Sequence, residues 1–346
     1  MKKLRVSVLI CLFLCSLTGC KSEEEIKTDA FLKLGYSDEE VTNILALSED
    51  DQEIFNDYNK DLVTLLTADG FKENNLKVYD RHLDVLDKFD ETDFMALCND
   101  GYLDKYDSDD LLDFMNDKYF MYKNLDLYMK YLDDFETVRK CVEYVNTKGY
   151  KESYVDYEVS DISKDILMIA SKIYSIEEYI PDDLITLPSE YVCQSDNSLR
   201  EEAYNAYIEM ADAAREEDMY FYVSTSYRSY DFQTALYNKY LETDSQEVVD
   251  TYSSRPGFSD HQTGLTVDIR DYDKTFDDVK DTEEMLWLRD NSYLYGFIMR
   301  YPEGKEDITR YEYEWWHFRY VGKEAAKIIH DDGITFDEYY EYYVNN

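Results

Sequence analysis

The chain is poor in proline and in basic residues. These shortages bear on where helices can be interrupted and on which partners the protein can bind. Proline occurs only 4 times in 346 residues and never before Pro181, so no proline interrupts helices in the first half. Lysine and arginine number 36 against 77 aspartates and glutamates, which gives a formal net charge of −41. Because this charge repels nucleic acid and anionic lipid head groups, we expect neither as a partner. Hydrophobic residues still make up 44% of the chain, enough to bury a core.

Cysteine is also sparse. The 6 cysteines include no CxxC pair, which argues against a cysteine metal site. The first twenty residues contain three of these cysteines, including Cys20. The rest of the chain contains Cys98, Cys141 and Cys193. The sequence leaves open whether one disulfide forms among them.

The first twenty residues have the composition of a targeting segment. Basic residues precede an apolar run from Val6 to Leu14, which is too short to span a bilayer comfortably. The following Leu17–Cys20 resembles a bacterial lipobox, which implies cleavage before Cys20 and a diacylglycerol anchor on its thiol. We therefore expect residues 1–20 to be a lipoprotein signal peptide. The protein would then be lipid-anchored at the extracytoplasmic face of the bacterial membrane, unless this is an ordinary secretory signal.

Residues 21–160 have the pattern of a helical region. Ser48, followed by acidic residues, is a plausible N-cap for a helix that ends near Gly70. Apolar residues at helical spacing support this helix, namely Ile54, Tyr58, Leu62 and Leu65.

Part of the helical region recurs weakly at an offset of 49 residues. Both copies place apolar residues on one helix face. The pattern fits two amphipathic helices of a small bundle, or a repeated wall-binding or spacer module. The matched residues are Asn75, Leu76, Tyr79, Leu83 and Leu86 in the first copy, and Asn124, Leu125, Tyr128, Leu132 and Phe135 in the second.

From residue 161 onward, the pattern changes to mixed strands and helices. Strands are predicted over 221–226, 264–269 and 315–321, and helices over 198–214 and 230–241. Ser198 with Glu201 is a possible capping box for the first helix. Strands and helices are mixed irregularly and do not repeat as βαβ units. We therefore expect an α+β fold with a mainly antiparallel sheet.

Two of the 4 histidines fall in distinctive segments of this second region. In the first segment, His261 precedes a strand on which Leu265, Val267 and Ile269 form the core face and Asp268 points the other way. Gly264 lets the backbone turn closely between His261 and Asp268.

The second segment contains Glu314 and His317. Three protein ligands plus a water are typical of catalytic zinc, so His261, Asp268 and His317 are predicted to hold one Zn²⁺ ion. Glu314 is then the candidate base that moves the water's proton. On a regular strand Glu314 and His317 would face opposite ways, so we expect a bend at Trp315 or a Glu314 that lies just before the strand.

A third segment contains Arg228 and Gln233, where a strand gives way to a helix. The planar guanidinium of Arg228 matches a carboxylate bidentately, as the recognition of a peptide C-terminus requires. An ion pair with one of the many nearby acids is the alternative.

These segments resemble the VanY-like D-alanyl-D-alanine carboxypeptidases, within the wider group that includes lysostaphin-like enzymes and hedgehog. The SxHxxGxxxD, ExWH and YRSxxxQ motifs of the family are matched over roughly residues 165–340. The resemblance implies that the His, Asp and His bind zinc, that Glu314 is the base, and that Arg228 polarises the scissile carbonyl or holds the terminal carboxylate. It also assigns Gln233, Ser259 and Trp316 to substrate binding. Trp315 stands where proline is usual, and Asp260 where glutamate is common.

We therefore expect a hedgehog/D-Ala-D-Ala peptidase-like zinc domain over 161–346, preceded by a helical spacer or binding module over 21–160. The expected activity is removal of the C-terminal D-Ala from peptidoglycan stem peptides. The sequence leaves two alternatives open, an L,D-carboxypeptidase that acts on stem tetrapeptides and a non-catalytic wall-binding lipoprotein.

Overall fold

The computed structural model describes residues 21–193, 196–270 and 280–345. By internal contacts the chain divides into two compact units, Met1–Asn116 and Asp117–Asn346. The segment 117–160, which the sequence groups with the helical region, therefore packs with the later part of the chain. The three-part domain assignment with its separate roles stays a prediction. The predicted signal peptide and Cys20 lie outside the described residues.

The first unit is helical, as its sequence predicts. Ser22 and Ser37 each cap a helix with a capping box. The helices are α1 Glu23–Leu34, α2 Asp38–Leu45, α3 Glu49–Gln52, α4 Lys60–Leu65, α5 Leu76–His82, α6 Glu91–Asn99, α7 Tyr102–Lys105 and α8 Ser108–Met115.

The helix predicted to follow Ser48 is shorter than expected. Ser48 does cap α3, but a 3-10 turn over Glu53–Asn56 follows Gln52. Asn59 then caps a new helix, α4, by accepting a hydrogen bond from Leu62 N at 3.1 Å. Because this polar side chain satisfies a new helix terminus, the continuous helix predicted from periodicity is wrong.

The first copy of the sequence repeat contains a polar network that we call the Asn99 latch. The amide oxygen of Asn99 accepts hydrogen bonds from the Tyr79 hydroxyl and from Asn75 Nδ2, at 2.5 and 2.8 Å. Its Nδ2 donates to the carbonyl oxygen of Gly70 at 2.9 Å. One asparagine on α6 thereby fixes α5 and the loop before it.

The second copy repeats this arrangement as the Asn146 latch. Asn146 Oδ1 accepts from the Tyr128 hydroxyl at 2.5 Å and from Asn124 Nδ2 at 2.8 Å. Its Nδ2 donates to the carbonyl oxygen of Tyr119 at 2.8 Å. In both copies the later apolar residues are not on the helix as predicted. Leu83, Leu86 and Leu132 lie in a 3-10 turn after the helix, over Leu83–Lys88 and Leu132–Asp134, and Phe135 directly follows the second turn.

The second unit combines helices with short strands. Its helices are α9 Leu125–Tyr131, α10 Val138–Asn146, α11 Glu201–Glu216, α12 Tyr230–Tyr240, α13 Gln246–Tyr252, α14 Glu283–Asn291, α15 Glu306–Thr309, α16 Lys323–Asp332 and α17 Phe336–Tyr339. Its strands are β1 Glu158–Val159, β2 Tyr174–Ser175, β3 Leu184–Thr186, β4 Ser198–Arg200, β5 Tyr222–Thr225, β6 Thr266–Arg270, β7 Phe297–Met299 and β8 His317–Tyr320.

The central sheet has the order β5-β6-β8-β7, and each neighbouring pair is antiparallel. Its buried face carries Val267 and Ile269 of β6, which pack in one cluster with Tyr207 and Met210 of α11 and Leu288 of α14. The α+β fold with an antiparallel sheet is confirmed. The three predicted strands correspond to β5, β6 and β8, whereas β7 was not anticipated.

The start of α11 differs from the prediction. Ser198 lies in β4, opposite Thr186 of β3, and its hydroxyl contacts that of Thr186 at 3.2 Å. The helix begins at Glu201, with Arg200 at the N-cap position and no side-chain cap. The predicted Ser198–Glu201 capping box is wrong because the serine hydroxyl is used across the strand pair.

None of the described helices combines the length and apolar character that a membrane span requires. Within the described ranges, no disulfide links Cys98, Cys141 or Cys193, so the disulfide that the sequence left open is not formed there.

Candidate metal centre

Asp268 and His317 are brought together by strand pairing. They are directly opposite each other on the antiparallel strands β6 and β8, where side chains of one face are neighbours. Asp268 Oδ1 lies 3.5 Å from His317 Nδ1. The core residues that alternate with Asp268 fix which face it occupies, so the sheet register sets this contact.

His261 reaches the same point from the 3-10 turn that precedes β6. The turn ends at Gly264, whose φ of +71° and close neighbours disfavour any side chain at this position. His261 Nδ1 donates to the carbonyl oxygen of Ser226 at 2.7 Å, if it is the protonated nitrogen. Its Nε2 then faces Asp268 Oδ1 at 3.3 Å.

The three predicted ligands form a donor set that fits a metal ion. One donor atom from each of His261, Asp268 and His317 lies within 4.8 Å of the others. Two of the separations, 3.3 and 3.5 Å, are close to the ~3.4 Å between ligands of tetrahedral zinc. His261 Nε2 and Asp268 Oδ1 are buried and have no hydrogen-bond partner among the described residues. Buried polar atoms without partners are costly, and a shared cation would satisfy them.

Without a bound metal, the pKa values of these three groups are shifted in different directions. Burial, helped by the charge of Arg228, lowers the pKa of His261 to about 4, so its imidazole is neutral and able to ligate. Burial alone would raise the pKa of Asp268, but the neighbouring imidazoles hold it at about 2. Burial also opposes charge on His317, yet Asp260 and Glu314 raise its pKa to about 9.

Glu314 lies in the turn just before β8, the second of the two arrangements expected from the sequence. Its backbone N–H donates to the carbonyl oxygen of Tyr301 at 3.0 Å. Its Oε2 lies 2.9 Å from His317 Nδ1, at the edge of the donor set. Burial raises the pKa of Glu314, and the nearby His317 offsets part of that shift. A carboxylate with a raised pKa beside a metal site is suited to accept and release a proton.

Arg228 lies on the opposite side of Asp268, at the start of the segment that leads into α12. Its Nη2 is 3.5 Å from Asp268 Oδ2, and its Nη1 donates to Gln233 Oε1 at 3.0 Å. Its buried Nε has no hydrogen-bond partner within the ranges that the structure describes. The guanidinium therefore retains donor capacity for an anionic group of a ligand.

These residues line a cavity of about 350 Å³. The predicted residues Arg228, Ser259 and Trp316 are in its wall, whereas the described lining does not include Gln233. Sequence reasoning missed several wall tyrosines because 36 tyrosines gave no reason to single them out. The tyrosines are Tyr301, Tyr311, Tyr240 and Tyr252.

Two imidazoles and a carboxylate beside an open cavity, with a glutamate and an arginine at its edge, form the type of site that metallopeptidases use. The family model described as VanY, D-alanyl-D-alanine carboxypeptidase, matches residues 196–323. YodJ of Bacillus subtilis (strain 168), which has a provisional carboxypeptidase name, is 39% identical over 185 residues. That match covers 51% of this chain and 68% of the relative. The chain belongs to the VanY-like D-alanyl-D-alanine carboxypeptidase family, as its motifs predict.

Two further relatives have names that give different cleavage specificities. A D-alanyl-D-alanine carboxypeptidase of Enterococcus faecium is 27% identical over 211 residues, which is 58% of this chain and 66% of that protein. The solved structure of the LdcB LD-carboxypeptidase, described in terms of peptidoglycan recognition, is 36% identical with a TM-score of 0.51. The match covers 55% of this chain and 92% of the LdcB chain. In each case the shared part is about half of this chain.

Proposed function

We propose that this protein is a zinc-dependent carboxypeptidase that removes the C-terminal residue from peptidoglycan stem peptides. The observation that carries the proposal is the convergence of His261, Asp268 and His317 donor atoms next to Glu314 and Arg228. The family match and the peptidoglycan-directed relatives support the substrate class.

The donor set favours zinc over harder cations. Two imidazoles and one carboxylate are the ligand types of catalytic zinc, whereas Mg²⁺ and Ca²⁺ prefer oxygen ligands alone. When bound, the ion would act as a Lewis acid and lower the pKa of a water to about 7.

The protein's own residues supply the remaining steps. Arg228 binds the terminal carboxylate of the stem peptide and thereby places the last peptide bond in the cavity. Water adds to the carbonyl carbon, and Glu314 Oε2 accepts its proton. The C–N bond then breaks as Glu314 delivers that proton to the leaving amine. The buried position of Glu314 raises its pKa, which favours its uptake of the proton.

The stereochemistry of the cleaved bond separates the two enzymatic alternatives. Removal of D-Ala from a pentapeptide is a D,D-cleavage, and removal of D-Ala from a tetrapeptide is an L,D-cleavage. Relatives of both kinds share this fold, so we keep D,D-carboxypeptidase as the first proposal and L,D-carboxypeptidase as the second.

The deciding experiment is a digest of purified protein with pentapeptide and tetrapeptide stems, with and without a chelator, analysed by mass spectrometry. Loss of alanine from the pentapeptide supports the first proposal, and loss from the tetrapeptide supports the second. If neither stem is cleaved after zinc addition, the carboxypeptidase proposal is wrong and the non-catalytic wall-binding alternative is favoured.

We also propose that Cys20 is lipidated and holds the protein at the extracytoplasmic face of the membrane. The support is the lipobox-like Leu17–Cys20 after a short apolar run. Wild-type protein should fractionate with membranes and Cys20→Ala should be released. Equal release of both would overturn the anchor and leave the carboxypeptidase proposal untouched.

A further inference from the structure

Beneath His317 lies a carboxylate that the catalytic proposal does not use. Asp260 is 1% exposed and immediately precedes the ligand His261. Its Oδ2 accepts a hydrogen bond from the Thr266 hydroxyl at 2.6 Å and lies 3.5 Å from His317 Nε2. Its Oδ1 is bound by the guanidinium of Arg319. Both oxygens of a fully enclosed carboxylate are therefore directed at specific groups.

Asp260 belongs to a buried charge cluster that we call the tetrad. Arg319 and Arg300 are both fully buried, and Arg300 Nε lies 3.9 Å from Asp260 Oδ1. Arg300 is also paired with Asp337 of α17 through both of its terminal nitrogens. The tetrad thus contains two cations and two anions. This pairing of opposite charges offsets the cost of burying them in the interior.

The two ligand imidazoles are oriented by different partners. His261 has its Nδ1 against a backbone carbonyl, so Nε2 faces the donor set. His317 is turned the other way, with Nδ1 toward Asp268 and Glu314 and Nε2 toward Asp260. His317 Nε2 is buried and has no hydrogen bond in the described part of the chain, so Asp260 Oδ2 is the acceptor that faces it.

We propose that Asp260 is a positioning residue for the metal centre: it accepts the Nε2–H of His317, which fixes the tautomer that presents an unprotonated Nδ1 to the ion. A carboxylate behind a ligand imidazole orients the ring and increases its basicity. Arg319 and Arg300 hold the carboxylate in place, and Thr266 fixes the oxygen that faces the ring. The inference rests on the proposed metal site.

The test compares Asp260→Asn with Asp337→Asn, because each variant removes one anion from the same tetrad and only the first touches His317. Competition with a chromophoric chelator should show zinc affinity reduced about 10- to 100-fold in Asp260→Asn. Asp337→Asn should bind zinc within about threefold of wild type, although it too loses stability in denaturant unfolding. Equal zinc affinities in the two variants would show that Asp260 is only part of the structural tetrad and would overturn the inference.

A measurement on the wild type covers the case in which Asp260→Asn does not fold. In the zinc-loaded protein, ¹⁵N NMR of the imidazoles should show a protonated Nε2 on His317 whose proton exchanges slowly with solvent. A proton on Nδ1 of His317 would overturn the inference. A wild-type protein that binds no zinc would instead overturn the metal centre itself, and the function proposed from it.

Discussion

Gln233 holds Arg228 in place by a hydrogen bond, and is itself anchored to the backbone. Its Oε1 accepts from Arg228 Nη1 at 3.0 Å, and its Nε2 donates to the carbonyl oxygen of Ser254 at 2.7 Å. Gln233 is completely buried. The amide therefore fixes one side of the guanidinium and leaves the other side directed at the cavity. Substrate contact by Gln233 itself stays a prediction from the family motif.

Arg228→Lys should lower kcat/KM for stem peptides by about 10- to 100-fold, because a lysine cannot reproduce the planar fork that binds a carboxylate. Zinc content should stay normal. Arg289→Lys, on α14, is the matched control and should leave kcat/KM unchanged. If a stem peptide with an amidated C-terminus loses as much rate with Arg228→Lys as the free acid does, Arg228 does not recognise the carboxylate.

Glu314→Gln should bind zinc but lose roughly 100- to 10,000-fold in kcat, since the amide cannot accept the proton of the attacking water. Turnover by mass spectrometry and metal content by atomic emission measure the two effects separately. Glu312→Gln changes an exposed glutamate two positions upstream and should behave as wild type. Retention of full activity in Glu314→Gln would remove Glu314 from the mechanism.

Lys172 should make the free energy of unfolding depend on pH in the alkaline range. The side chain is 5% exposed, donates to the carbonyl oxygen of Arg310 and lies 4.0 Å from the centre of the Tyr311 ring. Burial lowers its pKa from 10.5 to about 8. Between these values the unfolded chain binds more protons than the folded one, so stability from this group increases as the pH rises.

The full effect has an upper limit of about 3 kcal/mol, reached as Lys172 is deprotonated in both states. Denaturant unfolding at pH 7.5 and pH 9.5 should therefore favour wild type over Lys172→Met more strongly at the higher pH. Comparison of the two proteins removes the contribution of other titrating groups. Parallel pH profiles would show that folding does not lower the pKa of Lys172.

The two latches predict a matched pair of destabilised variants. Asn99→Ala and Asn146→Ala should each cost about 1–3 kcal/mol, because the tyrosine and asparagine donors of the latch lose their shared acceptor. Asn146 is the more buried of the two, so its replacement should cost more. Asn74→Ala alters an exposed neighbour and should stay within about 0.5 kcal/mol of wild type in denaturant unfolding. If Asn74→Ala and the latch variants unfold alike, the latches do not stabilise the repeat.

The placement of the candidate site residues could be predicted because each motif combines local structure with chemistry. The alternation of Leu265 and Val267 with Asp268 predicted a strand with a carboxylate on one face, and β6 has that form. The conflict between the spacing of Glu314 and His317 and a regular strand indicated a break, and Glu314 does lie in a turn. Strand faces and turns are short-range properties that a sequence expresses directly.

The missed features depend on contacts between distant segments. Asp260 looked like a small departure from a motif, yet two of its partners come from distant parts of the chain, Arg319 of β8 and Arg300 just after β7. The strand β7 escaped notice because three residues carry too little periodicity to distinguish it from a loop. Ser198 carried a valid helix-start signal, and its pairing with β3 overrode that signal.

The order of the donors along the chain has a consequence for assembly. His261 and Asp268 belong to one short segment, whereas His317 follows only after α14 and β7. An ion that meets the unfolded chain therefore finds two donors close together and the third a long loop away, whose closure costs entropy. If the proposed zinc ion binds here, we expect it to bind after β8 has paired with β6 and to stabilise the finished sheet.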